Sequence, residues 1–160
     1  MALDMFIRID GLAGESLDKT HRGEIDVLAW RWGISNAGSA HTGGGAGSGK
    51  ADVHDLSFTK WVDKSTPDLL LSACSGRHWN EARLTVRKSG ETPLEYLVIT
   101  LREVLVTSVD TGGSGKDDRL VETVTLNFAA VAVDYVEQTA KGGAGAKPSM
   151  HWNVAENAKE

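Results

Sequence analysis

Hydrophobic and polar residues alternate in steps of two along most of the chain, which is the pattern of half-buried β-strands. In the first such segment, 4–10 (DMFIRID), the methionine and both isoleucines fall on one face. A run at 24–35 (EIDVLAWRWGIS) is largely apolar on both faces, so either face could be covered. Further alternating segments predict strands over 53–62, 81–88, 94–110, 120–136 and 150–155.

Two of the predicted strands are irregular. The run 94–110 is too long for one straight strand, so we expect a bend near Arg102 or Glu103. In 120–136 the alternation changes phase at Ala129 and Ala130, which predicts a β-bulge there.

One segment has helical signals. The sequence STPDLLLSACSG predicts a helix of about three turns with Ser65 as its N-cap, Asp68 as the acidic partner of a capping box and Gly76 as its C-terminal stop. We expect Cys74 to be a small buried hydrophobe. The apolar face, expected to dock on a sheet, consists of Leu69, Leu70, Ala73 and Cys74.

Many strands, one helix and no alternating strand-helix-strand order predict a mainly β, largely antiparallel barrel or sandwich. The 160 residues fit a single domain, 1–160. Three glycine-rich tracts interrupt the β-pattern: a long loop at 35–51, a turn at 111–118 and a flexible tract at 139–149.

The first tract is the most unusual part of the chain. Its first sixteen residues, SNAGSAHTGGGAGSGK at 35–50, contain six glycines and no large apolar side chain, so burial cannot offset the entropy of ordering them. Loops of this length inside a domain are usually functional or disordered. The end of the tract, GGAGSGK, matches part of a phosphate-binding P-loop, but Ala51 replaces the hydroxyl residue and the following residues predict a strand rather than a helix.

Composition excludes several function classes. A net charge of −5 with no basic cluster argues against nucleic-acid binding. No apolar run is long enough for membrane insertion, and the N-terminus lacks a signal-peptide pattern, so we expect a protein made in the cytoplasm. One cysteine and five scattered histidines give no metal motif, and no nucleophile motif is present. We therefore expect no metal, no cofactor and no enzyme activity.

The tryptophans suggest a covered exterior. Trp30, Trp32 and Trp61 lie on predicted strands beside the glycine loop, with Trp79 after the helix and Trp152 near the end. Some of them must belong to the core, but strands that are apolar on both faces also suggest contact with another chain, such as an identical subunit.

Several ordered segments resemble one known family over essentially the whole chain. They are DMFIRIDGLAGESLDKTHRGEIDVLAWRWGIS, DLSFTKWVDKSTPDLLLSACSGRHWNEARLTVRKSG, PLEYLVITLREVLVTSV and TVTLNFAAVAVDY. The chain resembles Hcp, the hemolysin-coregulated protein that forms the tube of the bacterial type VI secretion system and is related to phage tail-tube proteins.

The resemblance implies a two-sheet β-barrel with a flanking helix, homohexameric rings and stacking of rings into a tube. It implies effector proteins bound and chaperoned in the lumen, contacts with sheath and spike (VgrG-like) components, and export from the cytoplasm without a signal peptide. If each of six subunits contributed about four strands to an inner wall, about 24 strands spaced roughly 4.8 Å apart would enclose a pore about 37 Å wide.

By position, the glycine loop corresponds to the family's extended loop that reaches the neighbouring ring. Its stacking residues would be Ser39, His41, Thr42, Gly43, Gly44, Gly45, Gly47, Gly49 and Lys50. For the subunit interface we expect the strand edges and the helix residues Leu69, Leu70, Ala73 and Cys74.

Two alternatives stay open at this point. A phage or phage-like tail-tube subunit would share the fold and the ring. A monomeric β-barrel enzyme or ligand-binding protein would instead need a closed polar pocket within one subunit.

Overall fold

The alternating segments form strands that pair in antiparallel fashion, as the sequence predicts. The computed structural model describes residues 3–38, 50–90 and 93–160. The elements within these ranges are β1 (Leu3–Ile9), β2 (Ile25–Arg31), β3 (Ile34–Asn36), β4 (Ala51–Val53), β5 (Leu56–Trp61), α1 (Thr66–Ser75), β6 (His78–Lys88), β7 (Leu94–Gly112), β8 (Val121–Asn127), β9 (Ala130–Tyr135), β10 (Ser149–Asn153) and β11 (Ala158–Lys159).

Six strands close into a barrel. Their order is β7, β6, β1, β2, β5, β8, and β8 pairs back onto β7. The strands β9, β10 and β11 extend the sheet outward from the N-terminal half of β7. This is the expected mainly β barrel with a single flanking helix in the described residues, and the apolar core lies between its two sheets.

Strand β7 takes part in both sheets of the barrel, one with β9, β6 and β1 and the other with β8, β5 and β2. Its residues 97–102 pair with β9, whereas residues 105–112 pair with β8. Between the two halves Glu103 has a φ of 55°, a left-handed conformation that turns the strand from one sheet into the other. The predicted bend near Arg102 or Glu103 is therefore confirmed. The β-bulge predicted at Ala129 and Ala130 is instead a break between two strands, β8 and β9, where the Ala129 N–H donates to the Arg102 carbonyl at 3.0 Å.

Two other predicted strands are each split in the structure. The run 24–35 is interrupted at Trp32 and Gly33, and the run 53–62 is interrupted at His54 and Asp55. The two interruptions lie opposite each other, because the His54 N–H donates to the Gly33 carbonyl at 3.0 Å. Beyond them β3 and β4 form a separate two-stranded sheet, which is the stem of the glycine loop.

The glycine-rich tract that the sequence predicts to be flexible forms backbone hydrogen bonds in the structure. In the tract 139–149, the Thr139 N–H donates to the Gly143 carbonyl at 2.8 Å. A bridge joins Gln138 to Ala144. The last predicted strand is β10, Ser149–Asn153, and its bounds agree with the prediction to within two residues. The short strand β11, which pairs with β10, was not predicted.

The start of α1 differs from the expectation. Ser65 has φ −77° and ψ −18° and makes no side-chain cap, because its hydroxyl donates to Asp63 Oδ1 instead. Asp63 and Thr66 take the capping role, since the Asp63 N–H donates to Thr66 Oγ1 at 3.1 Å and Asp63 Oδ1 accepts the Ser65 N–H at 2.9 Å. The expected C-terminal stop is confirmed, because Gly76 is left-handed at φ 71°.

The predicted apolar face of α1 is mostly wrong. The helix buries Thr66, Leu69 and Ser72, which recur every three residues and pack toward the barrel. Leu70, Ala73 and Cys74 lie on the exposed side, so Cys74 is not the buried hydrophobe that we expected.

A buried ion pair joins this helix to the barrel. Lys60 and Glu122 are register partners on β5 and β8, and both side chains are fully buried. Lys60 Nζ lies 2.5 Å from Glu122 Oε2 and 3.0 Å from Asp63 Oδ1. The Thr66 hydroxyl donates to the same Glu122 oxygen at 2.7 Å, which ties the first turn of α1 to the sheet.

The segment between β1 and β2 folds back over the outside of the barrel and is held there by charged groups. Asp18 forms a bidentate pair with Arg87, with Oδ1–Nη2 and Oδ2–Nη1 distances of 2.7 and 3.1 Å. His21 stacks on Phe6 at 4.5 Å, and its Nε2 lies 2.6 Å from Glu95 Oε1 at the start of β7. These contacts hold the segment against β6 and β7.

The Asp18 anchor predicts a pH dependence of stability. The hydrogen bond from Arg87 lowers the pKa of Asp18 well below its usual value, against the opposing effect of burial. Because the pKa of Asp18 is lower in the folded state than its unfolded-state value of about 3.9, the ionised carboxylate stabilises the fold at pH values above that value. This stabilisation is lost as the pH falls below about 3.9 toward the folded-state pKa. Asp18→Asn should therefore cost about 1–2 kcal/mol at pH 7, and the difference from wild type should narrow in urea melts below about pH 4. A difference that is independent of pH would contradict this assignment.

Candidate functional site

The C-terminal half of β7 belongs to a sheet with unusual edges. We call the assembly of β2, β5, β8 and residues 105–112 of β7, in that order, the four-stranded sheet. Its inner face covers the core with side chains that include Val27, Phe58, Val106 and Val124.

Both lateral edges of the four-stranded sheet are open in the described residues. On one side β2 pairs with β1 only at Ile25 and Asp26, so residues 27–31 face no strand there. On the other side the pairing of β7 with β6 ends at Leu105, so residues 106–112 also face no strand. Open edges of this length invite pairing with another chain, and soluble proteins normally protect them.

The outer face of the four-stranded sheet carries small polar side chains. Residues that are paired in register share a face, so the register defines rows across the sheet. One row is Arg31, Ser57, Thr125 and Ser108, and the next is Ala29, Thr59, Thr123 and Asp110. The hydroxyls of Ser57 and Thr125 lie 3.0 Å apart, and those of Thr59 and Thr123 lie 3.4 Å apart. Because these hydroxyl side chains are polar and only partly buried, this face suits a wetted surface rather than a core.

Sequence reasoning did not identify this face or these edges. The alternation in 56–61 correctly separated Leu56 and Phe58 from Ser57 and Thr59. The hydroxyl residues of β8 were a usable signal, but the open edges depend on where long-range pairing stops.

The helix residues predicted for a subunit interface do not form one surface. Leu69 has no exposed area in the chain, so it cannot contact a partner, and this part of the prediction is wrong. Leu70 is 39% exposed and its neighbour Leu71 is 64% exposed. Ala73 and Cys74 are also exposed, so the prediction stands for Leu70, Ala73 and Cys74 only.

The predicted stacking residues of the glycine loop lie mainly outside the described residues. This holds for Ser39, His41, Thr42, Gly43, Gly44, Gly45, Gly47 and Gly49, whereas Lys50 is described and exposed. The stem of the loop is anchored on the barrel, because Trp32 Nε1 donates to the His54 carbonyl at 2.9 Å. Residues 51–53 form strand β4 rather than a helix, which agrees with the rejection of a P-loop.

No group of three His, Cys, Asp or Glu side chains positioned to bind a metal occurs in residues 3–38, 50–90 and 93–160. Arg31, Trp32 and His54 help to line one cleft on this part of the structure.

Comparisons of the sequence and of the structure with known proteins point to the same family. The family model described as "Type VI secretion system effector, Hcp" matches residues 6–135. The chain belongs to the Hcp family. It is 58% identical to protein hcp1 of Pseudomonas aeruginosa over 159 residues, which cover 98% of both chains.

Solved structures with the same fold include Hcp1 of Salmonella typhimurium. That structure superposes with a TM-score of 0.81 at 34% identity, over the full length of both chains. A structure described as a type six secretion system protein superposes with a TM-score of 0.94 at 30% identity and covers 99% of this chain and all of its own.

Membership of the Hcp family establishes the class of function. The chain is a tube protein of the type VI secretion system, from a family of secreted proteins that assemble into rings. The two-sheet barrel implied by the sequence resemblance is therefore confirmed. Within the described residues, no helix has the length and hydrophobicity to span a membrane.

Proposed function

We propose that this Hcp protein is a non-enzymatic tube subunit whose hexameric ring closes when the β2 edge of each copy pairs with the β7 edge of the next. The rings stack through the loop 35–51, and effector proteins travel in the lumen. A contractile sheath and a spike (VgrG-like) complex are its further partners. The protein resides in the cytoplasm before secretion and is exported without a signal peptide.

The observation that supports this proposal is the pair of open edges on the four-stranded sheet. Residues 27–31 and 106–112 are the two sides of one sheet, and no described strand covers either. In an antiparallel sheet of four strands the first and the fourth run in opposite directions, so β7 of one copy and β2 of the next are antiparallel. Every junction in a closed ring would then continue the same hydrogen-bond pattern.

The dimensions fit passage of a protein. Six copies of the four-stranded sheet give about 24 strands, a circumference near 115 Å and a pore about 37 Å wide before strand tilt widens it. The hydroxyl rows of the outer face would line this pore and present few charges to a passenger.

The experiment is a molar-mass measurement by size-exclusion chromatography with light scattering. At micromolar concentration we expect one species of about 103 kDa, six times the 17.1 kDa chain. Edge pairing repeated at every junction of a closed ring should hold it together at this concentration. A stable 17.1 kDa species would contradict the ring.

A further inference from the structure

We propose that Arg31 of one subunit forms an ion pair with Asp110 of the next, and that this pair selects which edges meet in the ring. This inference rests on the proposed ring closure and adds the chemistry of the junction to it. It identifies two residues whose charges have no ionic partner among the described residues.

The two side chains lie on the same face of the four-stranded sheet. Arg31 is in register with Ser57, which is paired with Thr125 and through it with Ser108. The Ser108 hydroxyl donates to Asp110 Oδ2 at 3.2 Å, as expected for residues two apart on one face of a strand.

The two residues also lie on opposite open edges. Arg31 is the one charged residue in the open stretch 27–31 (VLAWR), and Asp110 is the one charged residue in the open stretch 106–112 (VTSVDTG). Each edge therefore carries a single charge, and the two charges have opposite signs.

Neither charge has an ionic partner in the described part of the chain. Arg31 is exposed and makes no ion pair or side-chain hydrogen bond with the residues at 3–38, 50–90 or 93–160. Asp110 is exposed and accepts a hydrogen bond only from the Ser108 hydroxyl among those residues.

Geometry allows the pair between copies and not within one. Inside a subunit, β2 and β7 are three strand spacings apart, or about 14 Å, which is too far for the two groups to meet. Across an edge-to-edge junction the two strands are about 4.8 Å apart. Asp110 of one copy then lies within reach of the long Arg31 side chain of the next, whether the two positions are directly opposite or diagonal. The pair therefore tolerates a register offset of two residues between the two strands.

The expected role is selection of the partner edge. An exposed ion pair adds little affinity, but two like charges at the same place oppose association. Two β2 edges, or two β7 edges, would bring like charges together. The pair therefore favours a head-to-tail arrangement, which is the arrangement that closes a ring.

The test uses two charge reversals and their mixture, measured by native mass spectrometry. Arg31→Glu gives an acidic residue on both edges, and Asp110→Arg gives a basic residue on both edges. Rings of each single variant should dissociate at a protein concentration at least about tenfold higher than the concentration at which wild-type rings dissociate. An equimolar mixture should form rings with three copies of each variant, because only alternation places opposite charges at all six junctions. The double variant R31E/D110R should form rings by itself.

Matched controls carry the same charge changes away from the edges. Arg22 and Asp118 lie outside both open stretches, are exposed, and make no ion pair or side-chain hydrogen bond with the described residues, so R22E and D118R should form rings like wild type and mix statistically. Statistical mixing of R31E with D110R, in rings as stable as those of wild type, would overturn the Arg31–Asp110 pair and leave the ring intact. Wild-type protein that is monomeric under the same conditions would instead overturn the ring.

Discussion

Replacing Lys60 by methionine is expected to lower the free energy of unfolding by about 3–5 kcal/mol. The Glu122 carboxylate is fully buried and depends on the Lys60 ammonium for charge compensation. Its other oxygen, Oε1, already lacks a hydrogen-bond partner in the described residues. Without Lys60, the Thr66 hydroxyl, which donates to Oε2, would be the one donor to this carboxylate among the described residues, so a charge would be left nearly uncompensated in the core.

Thermal melts at one fixed protein concentration measure this effect. The expected loss corresponds to a melting temperature about 6–20 °C lower for a chain of this size. The double variant K60M/E122L removes both charges and should recover most of the loss, because an apolar pair of similar volume fits a buried position. If K60M melts within about 2 °C of wild type, the buried pair does not support the fold as described.

Deleting Gly43 to Gly49 should leave hexameric rings intact and abolish both tube assembly and secretion. The deletion removes seven residues of the loop that we propose to reach the next ring. It should not touch the four-stranded sheet, because β3 and β4 form a sheet of their own. Light scattering would report the ring, negative-stain microscopy the tubes, and immunoblots of culture supernatant the secretion.

A variant of unchanged loop length makes the test specific. Replacing Gly43 to Gly49 by GSGSGSG keeps the loop length and changes only Gly44 and Ala46. This variant should still form tubes and be secreted, which would show that the deletion acts through the length of the loop. Secretion of the deletion variant at the wild-type level would show that the loop is not the stacking element.

The fold was largely predictable because the strongest local signals agree with the tertiary structure. The alternation at 4–10 and 81–88 became β1 and β6, and the left-handed Gly76 ended α1 as expected. The bend at Glu103 was also predictable, since a strand of 19 residues must turn to remain on a barrel of this size.

The errors arose where polar contacts, near or distant in the sequence, decide the outcome. Lys60 occupies a core position because Glu122, 62 residues later, neutralises it. Asp63 accepts the hydroxyl of Ser65, so the capping box that the local sequence favours does not form. Cys74 faces outward because Thr66, Leu69 and Ser72 dock the helix, and a face with two polar members is hard to recognise from hydrophobicity alone.

The candidate site was predictable only in outline. The sequence indicated association with identical copies through strand edges, but not which strands. The open edges exist because β1 leaves β2 after Asp26 and β6 leaves β7 after Leu105, and no local pattern marks where two strands diverge. The charges of Arg31 and Asp110 are visible in the sequence, but their position on opposite edges of one sheet is visible only in three dimensions.

Cryo-electron microscopy of the purified wild-type protein, at a resolution that separates strands, tests ring closure most directly. We expect an annulus of six subunits with a pore of about 37 Å or somewhat more, in which residues 27–31 of one copy lie beside residues 106–112 of the next. Single particles without a pore would contradict the account, as would a ring whose junctions leave both of these edges exposed.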